Sequence, residues 1–480
     1  MKFLKYTKGL LIILGLVSMG GCKLLKPSEQ LSGVKTPAQF SSGTDTVGIA
    51  STQWESFFTD KKLVALIDTA LRNNLDLKMA AQRIEMAAAT KLLRHGALFP
   101  TVQGEVSGGG RKFGDYTMDG VGNYDTNFSG NIDSDRRLPA PFLPDYFLGL
   151  RSSWEIDIWG KLKTQKKAAY ARFLSSQQAR LAIHTGLIAQ VASLYYELVM
   201  LDSELSIIRR NIILQEKATS TIAIQKEAGR ANELGVKQFT AQLLNTQSLE
   251  VQILQTIIEK ENELNLLLGR FPQAIDRNSS LDQNFPSVIS AGIPTQMLRR
   301  RPDIQQAELE LLANYSDQQA ARLAFLPSLN ITAFLGFNAF KSNLVFNPGS
   351  IAYTALGGLS APLLNRRALK AEQKRSEAAS IEALYAYNKT VLTGFQEVST
   401  SLKKIENTAR IASIKTQEVE MLQQAVGTSQ DLFLGGYATY LEIITAQKSV
   451  LEAEINLINL KKEKQLALIQ LYRSLGGGWE

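Results

Sequence analysis

No proline occurs between Asp145 and Phe271, and none follows Pro362. Each half of the chain thus holds a long stretch without the residue that most surely ends a helix. In the first stretch Leu187, Val191, Leu194, Leu198, Leu201, Leu205, Ile208 and Ile212 step alternately by four and three, and in the second Phe395, Val398, Leu402, Ile405, Ala409 and Ala412 do the same. A period of about 3.5 residues is the signature of helices packing knobs into holes. Between Ala168 and Ala228 the only glycine is Gly186. A helix over 161–228 is roughly 100 Å long at about 1.5 Å per residue, several times a hydrocarbon core of ~30 Å. Its Glu204, Arg209, Arg210, Glu216, Lys217 and Lys226 could not face lipid. These helices must stand in water, with neighbours covering their seams.

The chain also states one plan twice. LDLKMAAQRIE (75–85) is echoed by PDIQQAELELL (302–312), and ALFPTV (97–102) by AFLPSL (324–329), at a spacing of 227. Beyond a loop that is longer in the first copy, WEIDIWGK (154–161) falls opposite LSAPLLNR (359–366). Gly229 and Gly269 then fall opposite Gly436 and Gly476, at a spacing of 207. The expected organisation is a leader, 1–21, and an N-terminal linker, 22–57, before a first repeat, 58–269. That repeat has strands 101–113 and 145–158 and helices 161–228 and 232–268. A connecting segment, 270–301, leads to a second repeat, 302–476, with strands 328–339 and 351–362 and helices 366–434 and 438–474. A tail, 477–480, closes the chain.

The strands point to a membrane. In YFLGLRSSWEIDI, Tyr146, Leu148, Leu150, Ser152, Trp154, Ile156 and Ile158 alternate with Phe147, Gly149, Arg151, Ser153, Glu155 and Asp157. One face is largely apolar and the other largely polar, the period of two that a sheet requires. The run matches the 9 to 11 residues of a tilted membrane strand. Polar loops, 111–144 and 338–350, join the paired strands. Four strands cannot close a barrel, and an open edge in lipid leaves backbone groups unpaired at several kcal/mol each. Three copies would supply twelve strands, an even number within the range of outer-membrane barrels.

Lys2, Lys5 and Lys8, the apolar run Leu10 to Val17, and Gly20 and Gly21 make a secretory leader. Cys22, the only cysteine, follows it directly. A lone exported thiol has no internal partner, which leaves a free thiol, an intermolecular bridge or an attachment point. Its place at the cleavage position favours attachment. MGGC resembles a bacterial lipobox, with Met19 where leucine is usual, which implies acylation of Cys22. Several acyl chains would satisfy the two-signal requirement for stable anchoring. Lys23 in place of aspartate leaves an outer-membrane address. The formal charge of +8 falls once the three leader lysines are removed, and the remainder is spread along the chain rather than gathered as a nucleic-acid footprint. Mean hydropathy is −0.07, with no second long apolar run. His95 and His184 lie far apart, outside any ligand-like cluster, and there is no phosphate loop, G-x-S-x-G or H-E-x-x-H motif. An enzyme is not expected.

With QWESFFTDKKLVALIDTALRNNLDL (53–77), WEIDIWGK, GIPTQMLRRRPDIQQAE (292–308), FLPSL and LYRSLGGGW (471–479) in order, the chain resembles a TolC-like outer-membrane factor. More narrowly, it resembles the NodT-type lipoproteins of resistance-nodulation-division efflux systems. The resemblance implies a mainly helical homotrimer in which a β-barrel in the outer-membrane lipid continues into a periplasmic α-barrel. It implies docking to a periplasmic adaptor (membrane fusion) protein and an inner-membrane transporter of that division, passive conduction, and no cofactor. A type I protein secretion channel keeps the duct and changes its client. A non-conducting trimeric coiled coil of the envelope would fit the heptads but not the strands.

The resemblance also directs attention to the turns between long helices, EAGRANELG (227–235) and LGGYATYLEI (434–443). Gly229, Gly435 and Gly436 are expected to permit tight reversals, with Arg230, Leu234, Tyr437 and Leu441 as adaptor contacts. Family acids that ring a closed mouth fall here on Glu442. A threefold ring of Glu442 would favour cations, although the usual second acid is Thr445 and a basic partner is Ala438. Phe433, one turn before Gly436, could add an apolar constriction. In RRRPD (299–303), Pro302 is expected to start a helix with Asp303 in its first turn and the arginines paired to acids. Met79 and Met86, seven apart, are read as seam packing rather than metal ligands.

Overall fold

A computed structural model describes residues 52–134, 136–138, 142–278, 294–362, 364 and 366–479. The leader and Cys22 lie outside the described residues. The described elements are α1 (Trp54–Phe57), α2 (Lys61–Asn73), α3 (Leu75–Gly96), β1 (Thr101–Arg111), α4 (Met118–Phe128), β2 (Leu143–Ile156) and α5 (Lys161–Glu227). They continue with α6 (Glu233–Leu267), α7 (Pro294–Arg300), α8 (Pro302–Leu323), β3 (Ser328–Ala339), β4 (Ile351–Ser360), α9 (Arg366–Leu434) and α10 (Tyr440–Ser474). β2 stops short of the expected 158 because Asp157 turns to cap the next helix. Its Oδ1 accepts from Leu162 N–H at 3.0 Å and its Oδ2 from Lys163 N–H at 2.8 Å. The loop 111–144 is not wholly irregular, since it carries α4.

The strands form one antiparallel sheet in the order β1-β2-β3-β4. Register pairs Val106 with Leu148, Leu148 with Phe337, and Leu335 with Tyr353. Paired residues share a face, so the apolar sets of all four strands fall together. That face is bare in the protomer: Val106 is 82 % exposed, Leu335 57 %, Tyr353 78 % and Leu359 70 %. The opposite face departs from the simple alternation. Phe147, on the side read as polar, is buried against Phe334 at 5.6 Å, with the Arg151 guanidinium 4.8 Å over its ring and paired to Glu105. Room for that ring comes from Gly149 and Gly336, which face each other so closely that a Cβ on Gly149 would lie 2.6 Å from Gly336 Cα.

Below the sheet α5 lies between α6 and α10, and α10 packs in turn on α9, so α6 and α9 flank the layer. The heptad stripe of α5 is buried throughout, and Leu63, Ile67 and Ala70 of α2 pack into the same core. Phe57 stacks on Tyr472 at 4.1 Å, and Tyr195 Oη–H donates to Asp60 Oδ2 at 2.6 Å. In α9 the stripe runs through Val398, Ile405 and Thr408, whereas Ala409 is exposed. The heptad is kept, with Val391, Val398 and Ile405 on one line and Gly394, Ser401 and Thr408 on the other, so the second line of the seam lies one residue before Phe395, Leu402 and Ala409.

The two repeats share their joints. Gly269 and Gly476, both at positive φ, press on the backbone of Asn73 and Arg300, where a Cβ would come within 2.7 and 2.8 Å. Asn74 Nδ2 donates to Leu267 O at 3.0 Å, and at the matching place Arg301 Nη1 donates to Ser474 O at 3.0 Å. Pro302 opens α8 at its first turn. Of the three arginines, Arg301 alone has a carboxylate partner among the described residues: it is buried and reaches Asp303 at 2.6 Å and Glu397 at 2.7 Å. Arg299 and Arg300 instead lend backbone carbonyls to Gln305 and Trp479. Met79 and Met86 are 49 % and 62 % exposed, so the seam expected for them is not filled among the described residues.

Candidate functional site

The tip is built from two helix reversals of the same design. α5 ends on Gly229 at φ +69°, with Arg230 N–H donating to Gln225 O at 2.8 Å. α9 ends on Gly436 at φ +77°, with Tyr437 N–H donating to Leu432 O at 2.8 Å. A left-handed glycine followed by this back-bond is a Schellman stop, and only glycine enters that conformation without a Cβ penalty. Asn232 then caps α6 through Gly235 N–H at 2.9 Å, and Thr439 caps α10 through Leu441 N–H at 3.3 Å. Lys226 pairs with Glu233 across the first reversal, holding that carboxyl below the ordinary range.

The two turns meet side by side. Gly235 lies against Tyr440, where a Cβ would sit 3.2 Å from the ring. Ile222, Phe239 and Ile443 form a small buried cluster beneath them, with Phe433 and Tyr440 packed on it. Arg230, Leu234, Tyr437 and Leu441 are all exposed, Tyr437 at 87 %. So is Leu434, at 74 %, which the sequence reading passed over.

One expectation changes, and two residues gain local partners. Gly435 does not supply a reversal: it is not among the positive-φ glycines, and it serves as the residue that closes α9 on Asp431 O at 3.0 Å, tight against Tyr437. Phe433 is half-buried and packs on the tip cluster. Glu442 is exposed as expected but already employed: its carboxylate accepts from Thr439 N–H at 2.9 Å and from Thr439 Oγ1–H, completing a capping box. The Thr439 hydroxyl and the backbone N–H groups hold its pKa below the ordinary carboxylate value.

Sequence reading also missed a polar interruption of the buried seams. Gln215 follows Ile208 and Ile212 in heptad step, and Gln447 and Glu454 alternate with Ile443 and Val450; all are buried. The signal was present, since the three-four pattern carries on through them. No helix among the described residues is long and apolar enough to cross a membrane, and no cluster of His, Cys, Asp or Glu among them could hold a metal.

An exposed apolar sheet face joined to water-facing helices defines the class of an outer-membrane channel subunit. The family model for outer membrane efflux proteins matches residues 66–270 and 293–477. The chain belongs to the outer membrane efflux protein family. It is 27 % identical over 97 % of both chains to the solvent efflux pump outer membrane protein SrpC of Pseudomonas putida. It is 28 % identical, again over 97 % of both, to the cation efflux system protein CusC of Escherichia coli. A crystal structure of CusC superposes with a TM-score of 0.81 at 25 % identity, covering 95 % of this chain and all of that one.

Proposed function

We propose that three copies of this chain form the outer-membrane exit duct of a tripartite efflux pump, passively conducting what an inner-membrane transporter expels through a periplasmic adaptor. The observation that carries the reading is the protomer's unfinished edges. Among the described residues β1 and β4 end the sheet with unpaired backbone, and the bare apolar face belongs in lipid, where an open edge is not tolerated. Joining β4 of each copy to β1 of the next closes a twelve-stranded barrel.

The helical layer argues for the same closure. On α6, Leu244, Val251 and Ile258 recur every seven residues and are exposed; on α9, Tyr385 and Leu392, then Ile414 and Met421, do likewise. These are seams without partners among the described residues. α3 repeats the argument. Met79, Met86 and Leu93 are exposed at heptad spacing, while Ala313 and Ala320, the repeat counterparts of Met86 and Leu93, are buried in α8, which packs on both α5 and α9. A neighbouring α9 over Met79, Met86 and Leu93 would complete the pattern.

In this assembly Arg230, Leu234, Tyr437 and Leu441 face the adaptor, Glu442 rings the inner mouth, and Cys22 carries the lipid anchor. The transporter is of the resistance-nodulation-division type. Relatives named for solvent and for cation efflux share the architecture, so cargo is set upstream of the duct. The purified protein, extracted in mild detergent, is expected to have the native mass of a trimer and to give ion conductance in planar bilayers. A stable single copy, or a trimer that never conducts, overturns the reading.

A further inference from the structure

A cavity of about 560 Å³ opens in the helical layer where α5, α9 and α10 converge beside the tip cluster. Ile222, Phe239, Ile443 and Val450 give it an apolar wall. Two side chains in that wall are unfinished. Gln215 from α5, 1 % exposed, has neither amide atom partnered among the described residues, and Gln447 from α10, 7 % exposed, has an unpartnered Oε1. A buried polar group without a partner is costly, whereas an apolar residue at either seam position would carry no such penalty. At the rim Arg210 and Glu454 pair at 2.7 Å, with Gln423 Nε2 donating to Glu454 at 2.8 Å, and the exposed Lys217 stands two residues after Gln215.

We propose that this cavity is a binding site for a neutral small molecule bearing a primary carboxamide on an apolar body. The three unpartnered atoms are two acceptors, Gln215 Oε1 and Gln447 Oε1, and one donor, Gln215 Nε2. A primary carboxamide supplies the complement: two N–H donors and one carbonyl acceptor. A carboxylate offers no donor to the two oxygens, and an ester offers none either. The volume lies in the range of small-molecule sites, about 300–1,000 Å³, and the apolar wall suits a hydrocarbon or aromatic body. Conduction requires no such site, since a duct needs no pocket inside its wall.

The test uses the full-length protein in amphipol and the probe 4-(4-fluorophenyl)benzamide, followed by broadening of its fluorine NMR line. Saturable binding is expected, at least tenfold tighter than that of the corresponding methyl ester or carboxylate. Gln215→Leu and Gln447→Leu are expected to weaken the carboxamide at least tenfold while leaving the ester unchanged. The wild-type comparison of carboxamide with ester needs no variant, so it stands even if a leucine variant fails to fold. No broadening, or equal affinity for carboxamide and ester, overturns the proposal. Conductance is not read here, so failure of this site and failure of the duct are distinguishable.

Discussion

The long helices α5 and α9 occupy matching places in the two repeats, yet they bury themselves in different ways. Along α5 the stripe from Leu187 to Ile212 has no member more than 9 % exposed. Along α9 the buried apolar side chains are Leu384, Val391, Val398, Ile405 and Val419, and the other buried positions are serine, threonine or glycine. Tyr385, Leu392, Ile414 and Met421 of α9 stay exposed. The difference follows from station: α5 has a long helix on either side and α2, α3 and α8 across it, while α9 stands at the flank. One periodicity thus gives two outcomes, a core that a single chain fills and a stripe that the described residues leave exposed.

Charges placed in the two helices should separate those purposes most sharply. Leu198→Asp puts an unpaired carboxylate at a fully buried point of α5 and is expected to cost about 4 kcal/mol or more, seen as lost helicity in circular dichroism. Leu392→Asp, 57 % exposed on α9, is expected to keep its helicity and to fall from trimer to single copy in native mass. A trimeric Leu392→Asp protein would remove α9 from the interface.

The matched joints come next. Arg301→Ala strands Asp303, leaves Glu397 with Arg473 alone at 3.0 Å, and is expected to cost about 3–5 kcal/mol, whereas Asn74→Ala removes a neutral bond and a cap for about 1–2 kcal/mol. Burial pushes Asp303 up, but the hydrogen bonds and charge of Arg301 and the Ile304 N–H outweigh it and hold its pKa below the ordinary value. A depressed carboxyl stabilises the fold above its unfolded pKa of about 4 and loses that contribution as pH falls through the folded value. The melting-temperature gap between wild type and Arg301→Ala should therefore narrow in acid below about pH 4; a gap constant with pH would deny the pairing.

Glycines sort the joints from the tips. Gly269→Ala and Gly476→Ala combine a left-handed backbone with collision against a neighbouring main chain, about 2–5 kcal/mol together. Gly229→Ala and Gly436→Ala meet open space and carry only the conformational term, about 1–2 kcal/mol. Equal losses in thermal melts would contradict this order. The smallest effects lie at the second cap. Thr439→Ala is expected to cost about 1 kcal/mol. Glu442→Gln keeps the capping box and should leave the melt unmoved while lowering cation preference in single-channel recordings; unchanged selectivity takes Glu442 off the conduction path.

Much of this was legible in the residues. Helix lengths followed from missing prolines and sustained heptads, the reversals from Gly229 and Gly436, and the apolar strand face from Tyr146 to Trp154. The Phe147–Arg151–Phe334 stack was not, because alternation assigns a side chain to a face without saying what lies across the strand. Nor was the packing of Phe433 on Ile222, Phe239 and Ile443, since the spacing of a residue from a turn does not say which helix lies beside it.

The sequence by itself determined which residues fold into helix or strand, where they turn and that the plan repeats, because those choices rest on local backbone sterics and the period of apolar side chains. Only the tertiary structure decided which seams the protomer closes, at α5, and which it leaves open, at α3, α6, α9 and the sheet edges. Covering an apolar stripe depends on what packs across from it, and that partner lies far along the chain or outside it.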